Sequence, residues 1–341
     1  MEWKRTIWAT DGFLRRWDGY PSIIADAAGD GVDPRGSTPY GGDVLRRDHW
    51  LKQIHRLDPE QDFLEIYRIS SFHEFPWDTV QSLGFALYRT YAVPSVGRLL
   101  AQTGEFAARP QKRYDDTVLI LDAILEHGFD SDQGREALRR MNRMHRHYPI
   151  SNEDFRYVLS TFVVVPKRWL DAYGWRRYTD HELRAATLYF RTLGQHMGIR
   201  DIPETFAEFE ALLDAYEREH FRFDQGGRSV SDATLDLFQS WYPGAAGRLM
   251  RRASVCLLDD ELREAFGYAA PSAALSALVQ GGLRLRGRVV RMLPSRREPL
   301  YARQGPNIRG YKDGYRLAEL GTFPGGGCPV PHAEPNDPAA H

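Results

Sequence analysis

Hydrophobic residues recur along most of this chain at spacings of three and four, the period of an α-helix with one buried face. One such stripe carries Val80, Leu83, Leu87 and Tyr91. The segment Thr117–Leu125 is almost wholly apolar, which predicts a helix buried on all sides. Strands with period-two alternation are scarce, and a parallel α/β sheet would need several of them. The pattern therefore predicts an all-α protein.

Helix-start signals divide the pattern into elements. Ser151–Asp154 and Thr179–Glu182 have the spacing of capping boxes, in which an acidic residue follows a Ser or Thr cap by three positions. Pro203 predicts the first turn of a helix over Glu204–Phe223. Pro166 is expected to interrupt the preceding apolar helix. The last predicted helix is Ala273–Met292.

The two ends of the chain differ from its middle. Gly, Pro and Asp are frequent in residues 1–42, and Pro and Gly return after residue 298. We therefore expect an irregular N-terminal arm (1–42), one large helical domain of about ten helices (43–298) and an irregular C-terminal tail (299–341).

Composition excludes several classes of protein. The chain has 341 residues, 42% of them hydrophobic, and a net charge of −1, which argues against a dedicated nucleic-acid partner. Two cysteines cannot form a disulfide scaffold. The first residues lack the apolar run of a signal peptide, and no run approaches the ~20 residues of a membrane span. The expectation is a soluble cytoplasmic protein.

One histidine lies on an apolar helical stripe. Leu138, Met141, His145 and Tyr148 share a face at spacings of three, four and three. A histidine there is commonly a satisfied core residue, but a buried neutral imidazole beside methionine is also typical of an axial haem ligand. An arginine such as Arg143, on another face, either points into solvent or pairs with a haem propionate.

A second candidate site combines Arg113 and Thr117, which share a helix face at i,i+4. Buried arginine is costly unless it is paired or faces a polar cavity. Two interpretations stay open at this point. Arg113 marks the surface start of the helix and pairs with a carboxylate such as Asp116, or its guanidinium is directed with the Thr117 hydroxyl into a site.

The segment Gly281–Arg297 contains six arginines and no acidic residue, interleaved with aliphatic side chains. One interpretation is a helix packed on the core whose arginines extend to water. The other is a peripheral membrane contact, because cationic amphipathic helices lie in the lipid interface.

Several motifs appear together in order between Asp43 and Phe223. They are Arg56–Asp62, Phe75–Trp77, Thr103–Phe106, Arg143–Asp154, Pro166–Arg176 and Gly198–Pro203. In this set the chain resembles the MpaB family of haem-dependent oxygenases, which includes a fungal enzyme that cleaves a farnesyl chain. The rubber oxygenases called latex clearing proteins are more distant relatives.

The resemblance implies an all-helical fold with a distant globin likeness and one non-covalent haem b. It places His145 as the axial iron ligand, with Arg143 and Met141 beside the cofactor. Arg113 and Thr117 match residues on the distal side, and Asp116 stands where the rubber enzymes carry a lysine; Glu105 is the nearest counterpart of their distal glutamate. The implied function is oxidation by dioxygen of a hydrophobic, isoprenoid-like substrate, through oxidative C=C cleavage. The alternative is a non-catalytic haem- or lipid-binding helical protein.

Overall fold

A computed structural model describes residues 45–322 of the chain. Within that range the regular elements are all helical, which confirms the all-α prediction. The fourteen α-helices are α1 (His49–Ile54), α2 (Phe63–Ile69), α3 (Pro76–Thr90), α4 (Pro94–Gln102), α5 (Glu105–Ala108), α6 (Pro110–His127), α7 (Asp132–His145), α8 (Asn152–Tyr173), α9 (Asp180–His196), α10 (Phe206–His220), α11 (Gln225–Ser240), α12 (Gly244–Val255), α13 (Asp260–Phe266) and α14 (Ala273–Met292). The count exceeds the expected ten because α1, α4, α5 and α12 were not predicted; α1 and α5 have six residues or fewer, too short for a periodic pattern to reveal.

Side-chain caps fix several of the helix starts. Thr179 and Glu182 form the predicted capping box at the start of α9, and the Ser151 hydroxyl caps α8 by accepting the backbone N–H of Asp154. The start predicted at Pro203 is wrong. Helix α10 begins at Phe206 because Thr205 and Glu208 form a capping box of their own.

The expected interruption at Pro166 is also wrong, because α8 continues through it to Tyr173. An internal proline costs about 3 kcal/mol or more, since it removes one helical hydrogen bond. Half of the residues of α8 are buried, among them Tyr157 and Val164 with no exposed surface. Packing around this central helix outweighs the local penalty of the proline.

Helix α8 lies at the centre of the fold, and α3, α9 and α10 pack around it. Helix α2 continues as a π-helical turn (Ser70–Glu74) and packs on α9, while α6 packs on α7 and α4 on α11. Helix α12 lies on α11, and α14 covers the C-terminal half of α8, where Gly287 meets the backbone of Tyr173 and Gly174. Within residues 45–322 no helix has the length and hydropathy needed to cross a membrane.

Residues 299–322, which we call the C-terminal strap, lie along α6 as an irregular segment with two short 3₁₀ turns. Acidic side chains of α6 hold it. The Asp115 carboxylate accepts the backbone N–H of Gly310 (2.7 Å), and the Asp122 carboxylate accepts that of Ala302 (3.0 Å). The part of the predicted tail that is described is therefore irregular but packed. The predicted arm, residues 1–42, and the tail from residue 323 lie outside the described residues.

The strap makes stability depend on pH through these carboxyls. Burial raises the pKa of Asp122 from 3.8 to about 6, although the N–H donors of Ala302 and Arg303 oppose the rise. The folded state therefore binds a proton more readily than the unfolded chain, so stability is lost as pH rises through about 6.

We expect Asp122→Asn to reduce this loss by roughly 1–3 kcal/mol, since one unit of pKa is worth about 1.4 kcal/mol. Urea unfolding at an acidic pH below the two pKa values of Asp122 and at neutral pH above them measures this change in the free energy of unfolding. The exposed Asp313 of the same strap supplies the control, because Asp313→Asn should leave the slope unchanged. An unchanged slope in Asp122→Asn would contradict the prediction.

Candidate active site

A large cavity is lined by residues of helices α3 to α9 and α11, and its volume is about 570 Å³. Cofactor pockets generally span about 300–1,000 Å³ and are mostly apolar. Aliphatic and aromatic side chains dominate its wall, among them Leu83, Leu87, Ile120, Leu121, Val158, Phe162 and Phe190. The cavity thus has the size and lining of a site for a large apolar ligand.

His145, the last residue of α7, lines this cavity. Its Nδ1 lies 2.9 Å from the carbonyl oxygen of Met141, one turn earlier. A neutral imidazole donates from Nδ1 in this arrangement, which leaves the lone pair on Nε2. Burial lowers the pKa of His145, the carbonyl of Met141 opposes the shift, and the charge of Arg113 lowers it further. The ring is therefore held neutral with one nitrogen available, the form that binds iron.

The other two predicted cofactor residues take different positions. Met141 is buried, lines the cavity and supplies the carbonyl that orients His145. Arg143 is exposed and does not line the cavity. Its backbone carbonyl lies 2.7 Å from Nδ1 of His147, a second histidine on the outer face.

Six charged residues other than His145 line the cavity, and five of them have charged or hydrogen-bonding partners. These pairs are Arg98 with Asp224, Glu105 with Arg109, Asp116 with Lys112, Asp122 with Arg303, and Asp154 with Ser95. The exception is Arg113, whose guanidinium has no ion pair or hydrogen bond within residues 45–322 and lies 5.4 Å from the centre of the Phe106 ring. An unpaired cation in an apolar cavity attracts an anion.

Thr117 and Asp116 line the same cavity, but other groups engage both side chains. The Thr117 hydroxyl donates to the carbonyl oxygen of Arg113 at 2.9 Å, so its remaining capacity is to accept. Asp116 is 1% exposed, and its carboxylate accepts hydrogen bonds from Lys112 Nζ at 2.8 Å and from the Tyr311 hydroxyl. Lys112 thus lies one helical turn before Asp116, the position at which the rubber enzymes carry a lysine. Its ammonium group binds the Asp116 carboxylate. Asp116 joins α6 to the strap.

Two features of the site were not predicted from the sequence. Phe155 places its ring edge-on to His145, with centroids 5.6 Å apart. Glu105 opens α5 and lines the cavity, and its Oε2 is buried without a hydrogen-bond partner among the described residues. The family resemblance named Glu105 as the nearest counterpart of a distal glutamate, but nothing in the sequence indicated that one of its oxygens lacks a partner. No group of three or more potential metal ligands occurs in this described range.

Comparison with known proteins identifies relatives in fungi. The chain is 29% identical over 239 residues to the ER-bound oxygenase mpaB' of Penicillium brevicompactum, which covers 64% of this chain and 56% of the relative. It is 26% identical to the ER-bound oxygenase mpaB of Penicillium roqueforti (strain FM164), covering 61% and 76%. It is 34% identical to mpaB of P. brevicompactum, covering 50% and 48%. The chain thus spans about half the length of two of these relatives.

A family model described as ER-bound oxygenase mpaB/B'/Rubber oxygenase, catalytic domain, matches residues 77–292. That range contains α3 through α14, apart from the first residue of α3, and every predicted site residue. Because the match covers more than half of the 341 residues, the chain belongs to the mpaB and rubber oxygenase catalytic-domain family of oxygenases.

Proposed function

We propose that this protein is a haem b-dependent oxygenase that uses dioxygen to oxidise a hydrophobic, isoprenoid-like substrate, by oxidative cleavage of a C=C bond. One observation carries the proposal. A single cavity holds a neutral histidine with an available nitrogen and an arginine with no anionic partner in the described range. Family membership supports the oxygenase class.

The residues present fit a haem. The neutral Nε2 of His145 would hold the iron, and the apolar wall would surround the macrocycle. When bound, this group supplies the redox chemistry with dioxygen, and the protein determines ligation, polarity and access. The hydrogen bond from Nδ1 to the carbonyl of Met141 fixes the ring orientation and increases the basicity of the ligand nitrogen.

Arg113 places a positive charge in the cavity close enough to lower the pKa of His145. A fixed cation stabilises negative charge that develops during reaction, and it does so strongly where water is excluded. Glu105 adds a carboxylate oxygen, Oε2, that has no partner in the described structure and can accept a proton from a substrate. Thr117 Oγ1 can accept a hydrogen bond but donates its own proton to the helix.

The apolar wall supports an apolar substrate. Apolar atoms form most of the cavity wall, and against that wall a polar substrate would lose hydrogen bonds to water without replacing them. A chain of isoprene units matches such a cavity because it is apolar along its length and carries the electron-rich C=C bonds that the proposed chemistry requires. The cytoplasmic location, the globin likeness and the lipid contact of Gly281–Arg297 stay predictions.

Dioxygen uptake by haem-loaded protein with an isoprenoid alkene tests the proposal. We expect Arg113→Met to lower the rate by about 10²–10³, the usual cost of one preorganised electrostatic group. Arg113→Lys keeps the charge and should recover part of the rate. Carbonyl products identified by mass spectrometry would establish cleavage. Absence of alkene-dependent uptake in protein that has bound haem would favour the alternative, a non-catalytic haem-binding protein.

A further inference from the structure

Five of the six large hydrophobic side chains exposed in the described range lie on two neighbouring helices. Leu249 is on α12, and Leu278, Leu285, Val289 and Met292 are on α14. On α14 they follow one another at spacings of seven, four and three, so they form one stripe along a 20-residue helix. Met292 is 77% exposed and Leu278 71%. Exposed apolar patches of this kind mark interaction sites.

Arginines are the only charged residues that flank this stripe on its own helices. Arg284, Arg288 and Arg291 are exposed on α14, and Arg248 and Arg252 are exposed on α12. Neither helix contains an acidic residue, and none occurs between Glu264 and Glu298. We call the exposed faces of these two helices the α12–α14 surface. Its charge is complementary to an anionic partner.

The inner face of α14 is separately occupied, which distinguishes it from this surface. Arg286 donates to the Asp78 carboxylate at 2.8 and 2.9 Å and stacks over the Trp77 ring at 4.0 Å. Gly287 and Val290 are buried against the rest of the protein. The core-packing interpretation of Gly281–Arg297 therefore accounts for one face of the helix and leaves the exposed stripe unexplained.

We propose that the α12–α14 surface docks the protein on a membrane that contains anionic lipids. An interfacial helix combines an apolar stripe, which enters the acyl boundary, with basic residues that contact lipid headgroups. Each basic residue near an anionic leaflet strengthens binding severalfold. A second copy of this chain is a poor occupant, because its own arginines would face these like charges.

The position of the surface relative to the cavity suits this role. The inner face of α14 packs on the start of α3, where it contacts Trp77 and Asp78. Pro76 and Val80 of the same turn line the cavity. Docking would bring this wall of the cavity close to the lipid phase. The inference does not depend on the proposed oxygenase function, because vesicle binding requires neither haem nor turnover.

Cosedimentation of the full chain with lipid vesicles tests this inference. We expect binding to phosphatidylcholine vesicles that contain phosphatidylglycerol, weaker binding without the anionic lipid, and a decrease with added salt. The triple variant Arg284→Glu, Arg288→Glu and Arg291→Glu should bind at least about tenfold more weakly. The matched control replaces three exposed arginines outside this surface, Arg200, Arg218 and Arg222, by glutamate. It should bind like the wild type.

The apolar stripe is tested in the same assay. Leu285→Gln with Met292→Gln should weaken binding, whereas Phe223→Gln should not, because Phe223 is the one exposed large hydrophobic residue of the described range that lies outside the surface. Three outcomes would overturn the inference. They are no vesicle binding by the wild-type chain at low salt, an equal loss in the arginine control, and concentration-dependent dimerisation that the triple variant abolishes. An equal loss in the arginine control would mean that vesicle binding depends only on the net charge of the protein.

Discussion

Replacing His145 by alanine should abolish tight haem binding. The imidazole lines the cavity, and its Nδ1–H is held by the carbonyl of Met141, so the available Nε2 is the one ligand that the proposal assigns to the iron. Losing an outer partner of a metal ligand costs roughly 10–100-fold in affinity, and losing the ligand itself should cost more than about a hundredfold. Titration of the purified chain with haem, followed by its Soret absorption, measures the effect.

His147→Ala is the matched control for that experiment. His147 lies two residues further on, and its Nδ1 also contacts the carbonyl four residues earlier, that of Arg143, at 2.7 Å. The two histidines differ in that His147 is exposed and does not line the cavity. We expect His147→Ala to bind haem as the wild type does. Full haem affinity and an unchanged spectrum in His145→Ala would remove His145 from the proposal.

Replacing Arg176 by methionine should cause the largest loss of stability. Its guanidinium lies between two fully buried carboxylates, at 2.5 Å from Glu74 Oε2 and 2.6 Å from Glu182 Oε2. Removing one partner of a buried ion pair typically costs about 3–5 kcal/mol, because the remaining charge has no water to solvate it. Urea unfolding monitored by circular dichroism measures the free energy of unfolding.

Two further measurements distinguish this explanation from a simple loss of packing. Burial raises the pKa of Glu74, and the charge of Arg176 opposes that rise. Without Arg176 the Glu74 carboxyl protonates more readily in the folded state, so the variant should recover part of its stability as pH falls. Arg177→Met is the control: that side chain is 80% exposed and 3.8 Å from Asp171, and should cost less than about 1 kcal/mol. An equal loss in both variants would contradict the ion-pair argument.

Arg176 also shows how much sequence motifs can and cannot reveal. It belongs to the Pro166–Arg176 motif that carries the family resemblance, yet its partners are a π-helical turn after α2 and the first turn of α9. The pairing with Glu74 spans 102 positions along the chain. No local periodicity encodes such a pairing, because it depends on how the helices pack.

The strap shows the same limit. Its Gly and Pro content predicted an irregular segment, since these residues disfavour regular helices. Its attachment was not predictable, because nothing in the sequence of α6 alone shows that Asp115, Asp116 and Asp122 bind a segment 180 to 195 residues further along the chain. These carboxylates are buried under the strap, where they accept backbone N–H groups and the Tyr311 hydroxyl.

The sequence by itself determined the helical class, the caps of α8 and α9, the stripe that carries His145 and the arginine-rich helix α14. These features depend on residues a few positions apart in the sequence, because helical periodicity and side-chain capping both involve residues within about one turn of each other. Only the tertiary structure decided that His145 and Arg113 line one cavity, that Asp116 holds Lys112 and the strap, and that Arg143 lies outside. Those relations join side chains of different helices, and packing of the whole core fixes them.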